Sequence, residues 1–572
     1  MPDLSKYIGY TKYSNDVAAY RESKLKEEKL RQSVFANKKL SQEEFTLARK
    51  RGEVLKRNID ALDEYAHTLN EGVESVSQTI LGETTGLMTS MGCCIGEMYK
   101  RTTSGRKITV GLFKKLGKLR PAAKLIIPAT TGLAFAIIAN FPILKKMTII
   151  DVETTRIERF FGMKHELSDS KDFAILTDEQ IDEAKEKAKN VILPEVKTSE
   201  KGILDSINIF KQLESYTDII NKRKTYNKEK LKYETNILKA KQTTPKYIFS
   251  AKDIEKAEEE KEIMGRIVNK VNLESQDYIE RVFKILDVIE MCLFGFGIIG
   301  YWTTDKVMSL MKVPDGKFKN SVSFLVSLTS CIFINSKVAE YRNNTIRIAR
   351  HKKMNELLED PTNFMKTPEI KKDKNEKDMN IQKGKKDNIF KFISQFLQDK
   401  KDYEVYLNTT MTENQKFRIA ARNLKLSAEQ MQDAKLRKQN FTRTVTISDE
   451  YKRKFEEAYE IFVVLITAPM GLIASALGNG LGWATHKLVN APKSQMPFYS
   501  ILGTVAGLIP AIAIEIYTTI EIRKASRVAY MKAQEEIKQS KDYLDYTKEK
   551  NINTSFLNTS FQKFLTTFAA KK

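Results

Sequence analysis

Ionisable side chains beside long apolar runs are the residues in this sequence with the most obvious capacity for chemistry. Asp287 and Glu290 lie just before the run that starts at Met291, and Glu515 follows the run that ends at Ile514. A charge at the centre of a bilayer costs about 2.5–3.5 kcal/mol on insertion scales, so a carboxylate kept there usually relays protons or binds a cation. Because these three lie at the ends of the runs, the sequence instead predicts interfacial carboxylates that face water or lipid headgroups.

The stretch 105–120 has the pattern of a helix that lies on a membrane surface. On a helical wheel its apolar residues share one face and its lysines share the opposite face. Such a helix prefers anionic lipid, and an ordinary surface helix is the alternative interpretation. The predicted lipid contacts are Lys107, Lys114, Lys115 and Lys118 together with Leu112, Phe113 and Leu116.

Three pairs of glycines four residues apart predict close packing between helices. They are Gly92 and Gly96, Gly478 and Gly482, and Gly503 and Gly507. The alternative for the last two pairs is a broken, substrate-binding helix of the kind found in transporters, for which Pro469 and Pro510 offer the breaks.

No arrangement of residues in the sequence resembles a catalytic or metal site. The 4 cysteines and 4 histidines are scattered without the spacing of a zinc site or of a disulfide framework. Nucleotide-binding, serine-hydrolase and zinc-protease motifs are absent from the sequence. We therefore predict that the protein is not an enzyme and binds no cofactor or metal ion.

The charge of the chain indicates an acidic partner. Its 96 basic and 73 acidic residues give a net charge of +23 at pH 7. Nucleic acid and anionic lipid both fit such a charge. Because no nucleic-acid-binding motif accompanies it, we predict lipid contact and no nucleic acid.

Five uncharged runs are long or dense enough to meet a bilayer, three of them reaching the roughly 20 residues that a spanning helix needs. They are Leu125–Leu144, Met291–Thr304, Ser321–Ser336, Ile461–His486 and Gln495–Ile514. The sequence therefore predicts a multi-pass membrane protein. Its composition, rich in Lys, Asn and Ile, is typical of an organism with an AT-rich genome, and we predict a plasma or inner membrane as its location.

A repeated helix start precedes three of these regions. Ser41, Thr177, Ser250 and Ser427 each have the pattern of a helix N-cap, with an apolar residue before the cap and another one turn later. After the three serines, apolar residues recur at steps of three and four and form a stripe of coiled-coil type. The stretches Gly300–Val307 and Gly482–Val489 also match one another in sequence. We interpret these features as an internal repeat; the alternative is that unrelated amphipathic helices share this pattern.

The repeat divides the chain into units that each combine a capped helix, an apolar hairpin and a returning helix. The first unit requires a span at 78–99, which is only weakly apolar, and the basic loop after it violates the positive-inside rule. The repeat thus favours six spans, whereas the weak apolar character of 78–99 and the position of the basic loop favour five, which remain the alternative. The predicted segments are a polar helix at 1–40, repeat 1 at 41–165 (spans 78–99 and 125–144), a helical insert at 166–249, repeat 2 at 250–358 (spans about 285–304 and 321–338), a disordered linker at 359–395, repeat 3 at 396–545 (spans about 461–486 and 496–517) and a tail at 546–572.

The sequence as a whole predicts an all-α integral membrane protein, in which long amphipathic helices on the aqueous side join helical hairpins in the bilayer. The favoured function is a structural scaffold or membrane-shaping protein whose stripes self-associate or bind a protein partner. The alternative is a transporter or channel that uses the glycine- and proline-rich third hairpin.

Overall fold

The computed structural model describes residues 41–65, 156–193, 217–229, 251–314, 317–366, 389–490 and 523–539, with a few isolated positions between them. Within these ranges the regular secondary structure is helical throughout, which confirms the all-α class. The predicted terminal segments at 1–40 and 546–572 lie almost entirely outside the described residues.

The helices are α1 (Gln42–Tyr65), α2 (helical residues 156–165), α3 (Asp178–Lys189), α4 (217–229), α5 (Ala251–Leu310), α6 (Lys317–Glu359), α7 (Ile389–Tyr406), α8 (Thr412–Arg422), α9 (Ala428–Leu488) and α10 (523–539). Short 3₁₀ turns at Ser170–Phe173 and Pro361–Phe364 and a π-helical turn at Leu407–Met411 connect some of them. We call α1, α5 and α9 the leading helices of the three units, and α2, α6 and α10 the returning helices.

Three of the predicted capping boxes are present. Ser41 Oγ accepts a hydrogen bond from the backbone N–H of Glu44 at 3.1 Å, and Glu44 accepts one in return from the N–H of Ser41 at 2.9 Å. Thr177 and Ser427 form the same reciprocal arrangement at the starts of α3 and α9. These bonds satisfy N–H groups that a helix start would otherwise leave without a partner. Ser250 lies outside the described residues, and α5 begins immediately after it.

The second unit is a complete helical hairpin. Helix α5 is 60 residues long, ends at a turn where Lys312 has a φ of 60°, and returns as the 43-residue α6. Helix α9 is 61 residues long and ends in the same way, with a φ of 49° at Asn490. The two leading helices thus have nearly equal lengths and the same left-handed termination.

These equal lengths correct one detail of the sequence comparison. The turns pair Lys312 with Asn490, and the helix starts agree with this pairing to within one residue, whereas the similarity between the two apolar ends pairs Val307 with Val489. The second pairing is out of register by about one helical turn, since neither α5 nor α9 is interrupted to absorb the difference.

The core forms where the three stripes meet. Residues at the same distance from the starting serines are buried in all three leading helices, and all of them except Ala257 belong to one apolar cluster. At seven residues they are Ala48, Ala257 and Ala434; at fourteen, Leu55, Met264 and Phe441; and at eighteen, Ile59, Val268 and Val445. The stripes that the sequence assigned to self-association or a partner therefore pack on one another within a single chain.

The stripe of α1 has an interruption at Gly52, and the structure explains it. A Cβ atom at this position would lie 2.7 Å from Leu358 Cδ2 and 2.8 Å from Phe364 Cε2. Phe364 is fully buried against the core, in the 3₁₀ turn that follows α6. The segment predicted as a disordered linker from residue 359 is therefore shorter than expected, because its first residues pack on α1 and its last ones begin α7.

The predicted spans fall partly within these helices. The runs Met291–Thr304, Ser321–Ser336 and Ile461–His486 lie in the helical backbone of α5, α6 and α9, and the other two runs lie outside the described residues except for Ala513. In the described part of the chain, no helix combines the length and the apolar character needed to cross a bilayer. The membrane part of the prediction stays a prediction.

Candidate functional site

Charged residues occupy equivalent positions of the three leading helices and meet inside the bundle. Ten residues after Ser41, Ser250 and Ser427 stand Arg51, Glu260 and Arg437, which we call the first ionic layer. The Glu260 carboxylate lies 3.0 Å from Arg51 Nη2 and 3.2 Å from Arg437 Nε. Glu260 is only 2% exposed, so this carboxylate joins all three units in a place with almost no access to water.

Each arginine of this layer is also bonded to the backbone of a connecting turn. Arg51 Nη1 donates to the carbonyl of Phe364 at 2.9 Å, and Arg437 Nη1 donates to the carbonyl of Phe173 at 3.1 Å. Such additional hydrogen bonds offset part of the cost of removing a buried ion pair from water. The layer therefore fixes the two 3₁₀ turns as well as the three helices.

A second ionic layer lies twelve residues further along the leading helices, at Asp63, Asn272 and Asp449. Two arginines of the returning helices connect its members. Arg350 donates from Nε to Asp63 at 2.6 Å and from Nη1 to Asn272, and Arg159 pairs with Asp449 at 2.5 Å and with Asp63 at 3.4 Å. Each arginine thus links the member from its own unit to the member from a neighbouring unit.

The returning helices are related in the same way. Arg159 and Arg350 each close an Arg-Ile-x-Arg motif, and the residues five positions earlier, Thr154 and Thr345, are both fully buried. In the third unit Ser526 corresponds to these threonines and is equally buried. This register places Met531 where the other two units have arginine, so the third unit contributes no equivalent link.

Burial and pairing together determine the charges of the second layer. Removal from water raises the pKa of the Asp449 carboxyl, against the opposing effect of the Arg159 guanidinium. For Arg159 itself, burial alone would lower the pKa of the guanidinium, but the carboxylates of Asp449 and Asp63 raise it. The arginine therefore stays protonated and holds the two carboxylates of different units together.

Helix α7, which lies between α6 and α9 in the chain, closes the side of this region. The hydroxyl of Tyr403 donates to Glu64, which also pairs with Arg347 at 3.0 Å. Burial is the main reason that the pKa of Glu64 is raised. In addition, Lys352 pairs with Asp399 of α7 at 3.0 Å. These bonds attach α7 to the first and second units.

A polar cavity of about 60 Å³ lies beside the second layer. All three units contribute to its wall: Asp63 and Arg159 come from the first, Arg347 and Arg350 with the buried amides of α5 and α6 from the second, and Lys452 with Tyr530 from the third. Its lining is therefore assembled only when the three units pack together.

The residues singled out from the sequence lie elsewhere. Among the lipid-contact candidates only Lys107 is described, and it is helical and exposed; the neighbouring Ile108 is 48% exposed. Asp287, Glu290, Gly478 and Gly482 lie in the helical backbone of α5 and α9, but their surroundings are outside the description. Lys114, Lys115, Lys118, Leu112, Phe113, Leu116, Gly92, Gly96, Gly503, Gly507 and Glu515 are outside the described residues altogether.

The two ionic layers were missed because charged residues within an amphipathic helix are normally assigned to its solvent face. The signal that could have identified them is the distance from the starting serine. Arg51, Glu260 and Arg437 all lie ten residues after their starting serine, and the residue of the second unit has the opposite charge to the other two.

No protein-family model, curated protein or solved structure matches the chain. Among the residues that the structure describes, no cluster of three or more His, Cys, Asp or Glu side chains could hold a metal ion.

Proposed function

We propose that the protein is a multi-span membrane scaffold, in which one charged helical bundle holds apolar hairpins side by side. The observation that supports this proposal is that α5 and α6 each combine a part that packs in the bundle with an apolar run. The first part of α5, up to Leu286, packs in the bundle core, and the same continuous helix goes on through the apolar run at Met291–Thr304. Helix α6 passes through the second run before it returns to the bundle at Val338.

The length of the apolar part of this hairpin supports the proposal. From Asp287 to the end of α5 at Leu310 the helix extends about 36 Å, at 1.5 Å per residue. The hydrocarbon core of a bilayer is about 30 Å thick. The turn that joins α5 to α6 carries Leu310 and Met311, which are 82% and 72% exposed, and Lys312.

The bundle provides the rigidity that a scaffold needs. Buried ion pairs join the leading helices of all three units, and arginines of the returning helices join them again in the second layer. Since the stripes are used within the chain, we propose that a protein partner contacts α7, where Leu397 and Val405 are more than half exposed. The net charge of +23 supports contact with anionic lipid.

The test is whether the protein is integral to a membrane and whether the hairpin is responsible. We expect the full-length chain, expressed in cells, to stay in the membrane pellet after an alkaline carbonate wash. The double variant Ile298→Asp and Leu328→Asp places one carboxylate near the middle of each apolar run of the second hairpin. Because each costs about 2.5–3.5 kcal/mol at a helix centre in the bilayer, this variant should lose most of its insertion at that hairpin.

The matched control is Leu397→Asp, which adds the same charge at a side chain that is already 54% exposed. It should fractionate like the unmodified protein. Glycosylation or cysteine labelling at Lys312 reports directly whether the turn of the hairpin has crossed. Release of the unmodified chain by carbonate would contradict the membrane assignment, and equal labelling at Lys312 in the double variant and in the control would contradict the role of this hairpin.

A further inference from the structure

The polar cavity beside the second ionic layer has hydrogen-bond donors that no protein group satisfies. Asn272 and Asn343 line it and are 1% and 7% exposed, and the side-chain NH₂ of each is buried without a hydrogen-bond partner. The Nε–H groups of Arg159 and Arg347, in the same wall, are also buried and unbonded. Leaving a buried donor without an acceptor is costly, so four such donors together indicate an occupant rich in acceptor atoms.

The charge of the wall selects the sign of that occupant. Arginine and lysine side chains contribute five positive charges (Arg159, Arg347, Arg350, Lys452 and Arg523), and Asp63 contributes the only carboxylate among the described lining residues. Part of this charge is balanced by three carboxylates that do not line the cavity but pair with Arg159, Arg347 and Lys452, namely Asp449, Glu64 and Glu456. A metal cation would face these arginines directly, so the lining favours an anion.

The size of the cavity and the side chain of Gln276 limit which anions can bind. A cavity needs about 10–15 Å³ to hold one water, so about 60 Å³ accommodates a group of only a few heavy atoms. Gln276 also lines the cavity, is 5% exposed, and has a side-chain oxygen with no hydrogen-bond donor. The fitting ligand therefore has several acceptor oxygens and at least one O–H group.

We propose that this cavity is a binding site for a small tetrahedral oxyanion, and specifically for hydrogen phosphate. Its oxygens accept from the amides of Asn272 and Asn343 and from the arginine Nε–H groups, and its O–H donates to Gln276. Sulfate has the same shape and acceptors but no O–H group at neutral pH, so it leaves Gln276 unsatisfied. Because the lining comes from all three units, phosphate binds the assembled bundle and stabilises it by linkage.

The experiment is isothermal titration of the full-length protein in a phospholipid-free detergent, with phosphate, sulfate or glycerol phosphate replacing chloride at constant ionic strength. We expect saturable phosphate binding, with sulfate about tenfold weaker. Asn343→Leu should weaken phosphate binding about tenfold, since the amide is replaced by an apolar group of similar size. Gln276→Leu should reduce the difference between phosphate and sulfate, an effect that general destabilisation does not produce.

The matched control is Asn440→Leu. Asn440 is 1% exposed and its amide is likewise without hydrogen-bond partners, but it lies outside the cavity. This variant should bind phosphate as the unmodified protein does. No saturable phosphate binding beyond that of chloride, or unchanged binding in Asn343→Leu, would overturn the site. Glycerol phosphate binding more tightly than phosphate would overturn the choice of the free ion and identify a lipid headgroup as the source of the oxyanion.

Discussion

Among single residues, those of the first ionic layer are the ones whose loss of charge we expect to destabilise the bundle most. Glu260 separates two buried guanidinium groups, and its removal would leave both positive charges facing one another in a region of low polarity. Breaking a buried ion pair by removal of one partner typically costs about 3–5 kcal/mol. Replacing one carboxylate oxygen of Glu260 by an amide NH₂ should therefore have a large effect on the stability of the protein.

We predict that Glu260→Gln destabilises the protein by about 3–5 kcal/mol, measured as a fall in the midpoint of thermal or denaturant unfolding in detergent. The control is the neighbouring Glu259→Gln. Glu259 lies 3.2 Å from the same Arg51 Nη2 but is 33% exposed, so its loss should cost less than about 1 kcal/mol. Equal effects of the two variants would show that the Glu260 carboxylate is not the centre of a buried triad.

The same layer predicts a rescue. Replacing all three members by apolar residues, with Arg51→Met, Glu260→Leu and Arg437→Met, removes the buried charges together, which is often neutral or stabilising. We expect this triple variant to recover most of the stability lost in Glu260→Gln. A triple variant as unstable as the single one would indicate that the hydrogen bonds of Arg51 and Arg437 to the connecting turns matter more than the charges.

At the scale of elements, the helix starts were predictable and the connections were not. A capping box is a local pattern of a few neighbouring residues, so Ser41, Thr177 and Ser427 could be identified from sequence alone. The turn Pro361–Phe364 begins a polar stretch that reads as linker. Its burial depends on Gly52, which lies in a different helix and is far away in sequence.

This contact gives a prediction at Gly52. Alanine would gain about 1 kcal/mol of helix propensity, but its Cβ would overlap both Leu358 and Phe364. Overpacking of a filled core typically costs about 1–3 kcal/mol, so we expect Gly52→Ala to be net destabilising by up to about 2 kcal/mol. Unfolding midpoints in detergent provide the measurement.

Gly265→Ala is the comparison for this variant. A Cβ there would approach only Ile537, with the nearest atom at 3.0 Å, so the helix propensity should offset most of the steric cost. We expect this variant to lie within about 1 kcal/mol of the unmodified protein. A stabilising effect of Gly52→Ala would mean that the Pro361–Phe364 turn does not pack on α1.

In the bundle as a whole, the three stripes of one chain pack on one another and form a common core. The sequence showed the stripes, because a period of three and four is a local property of each helix. It could not show which helix each stripe meets, since a stripe in the same chain and a stripe in a second copy have the same pattern. In the structure, Arg51, Glu260 and Arg437 of the first ionic layer join the three different units of one chain.

The most direct test of this arrangement is zero-length carbodiimide cross-linking of a mixture of ¹⁴N- and ¹⁵N-labelled protein, analysed by mass spectrometry. Lys256 of the second unit and Asp433 of the third lie 2.7 Å apart and are 35% and 18% exposed, so they should form a cross-link. Lys353 and Glu274, both in the second unit and 2.5 Å apart, serve as the reference pair. We predict that both cross-links form and that each joins two peptides of the same isotope. A Lys256–Asp433 link found mainly between different isotopes, or missing while the reference link forms, would contradict the packing of three units within one chain.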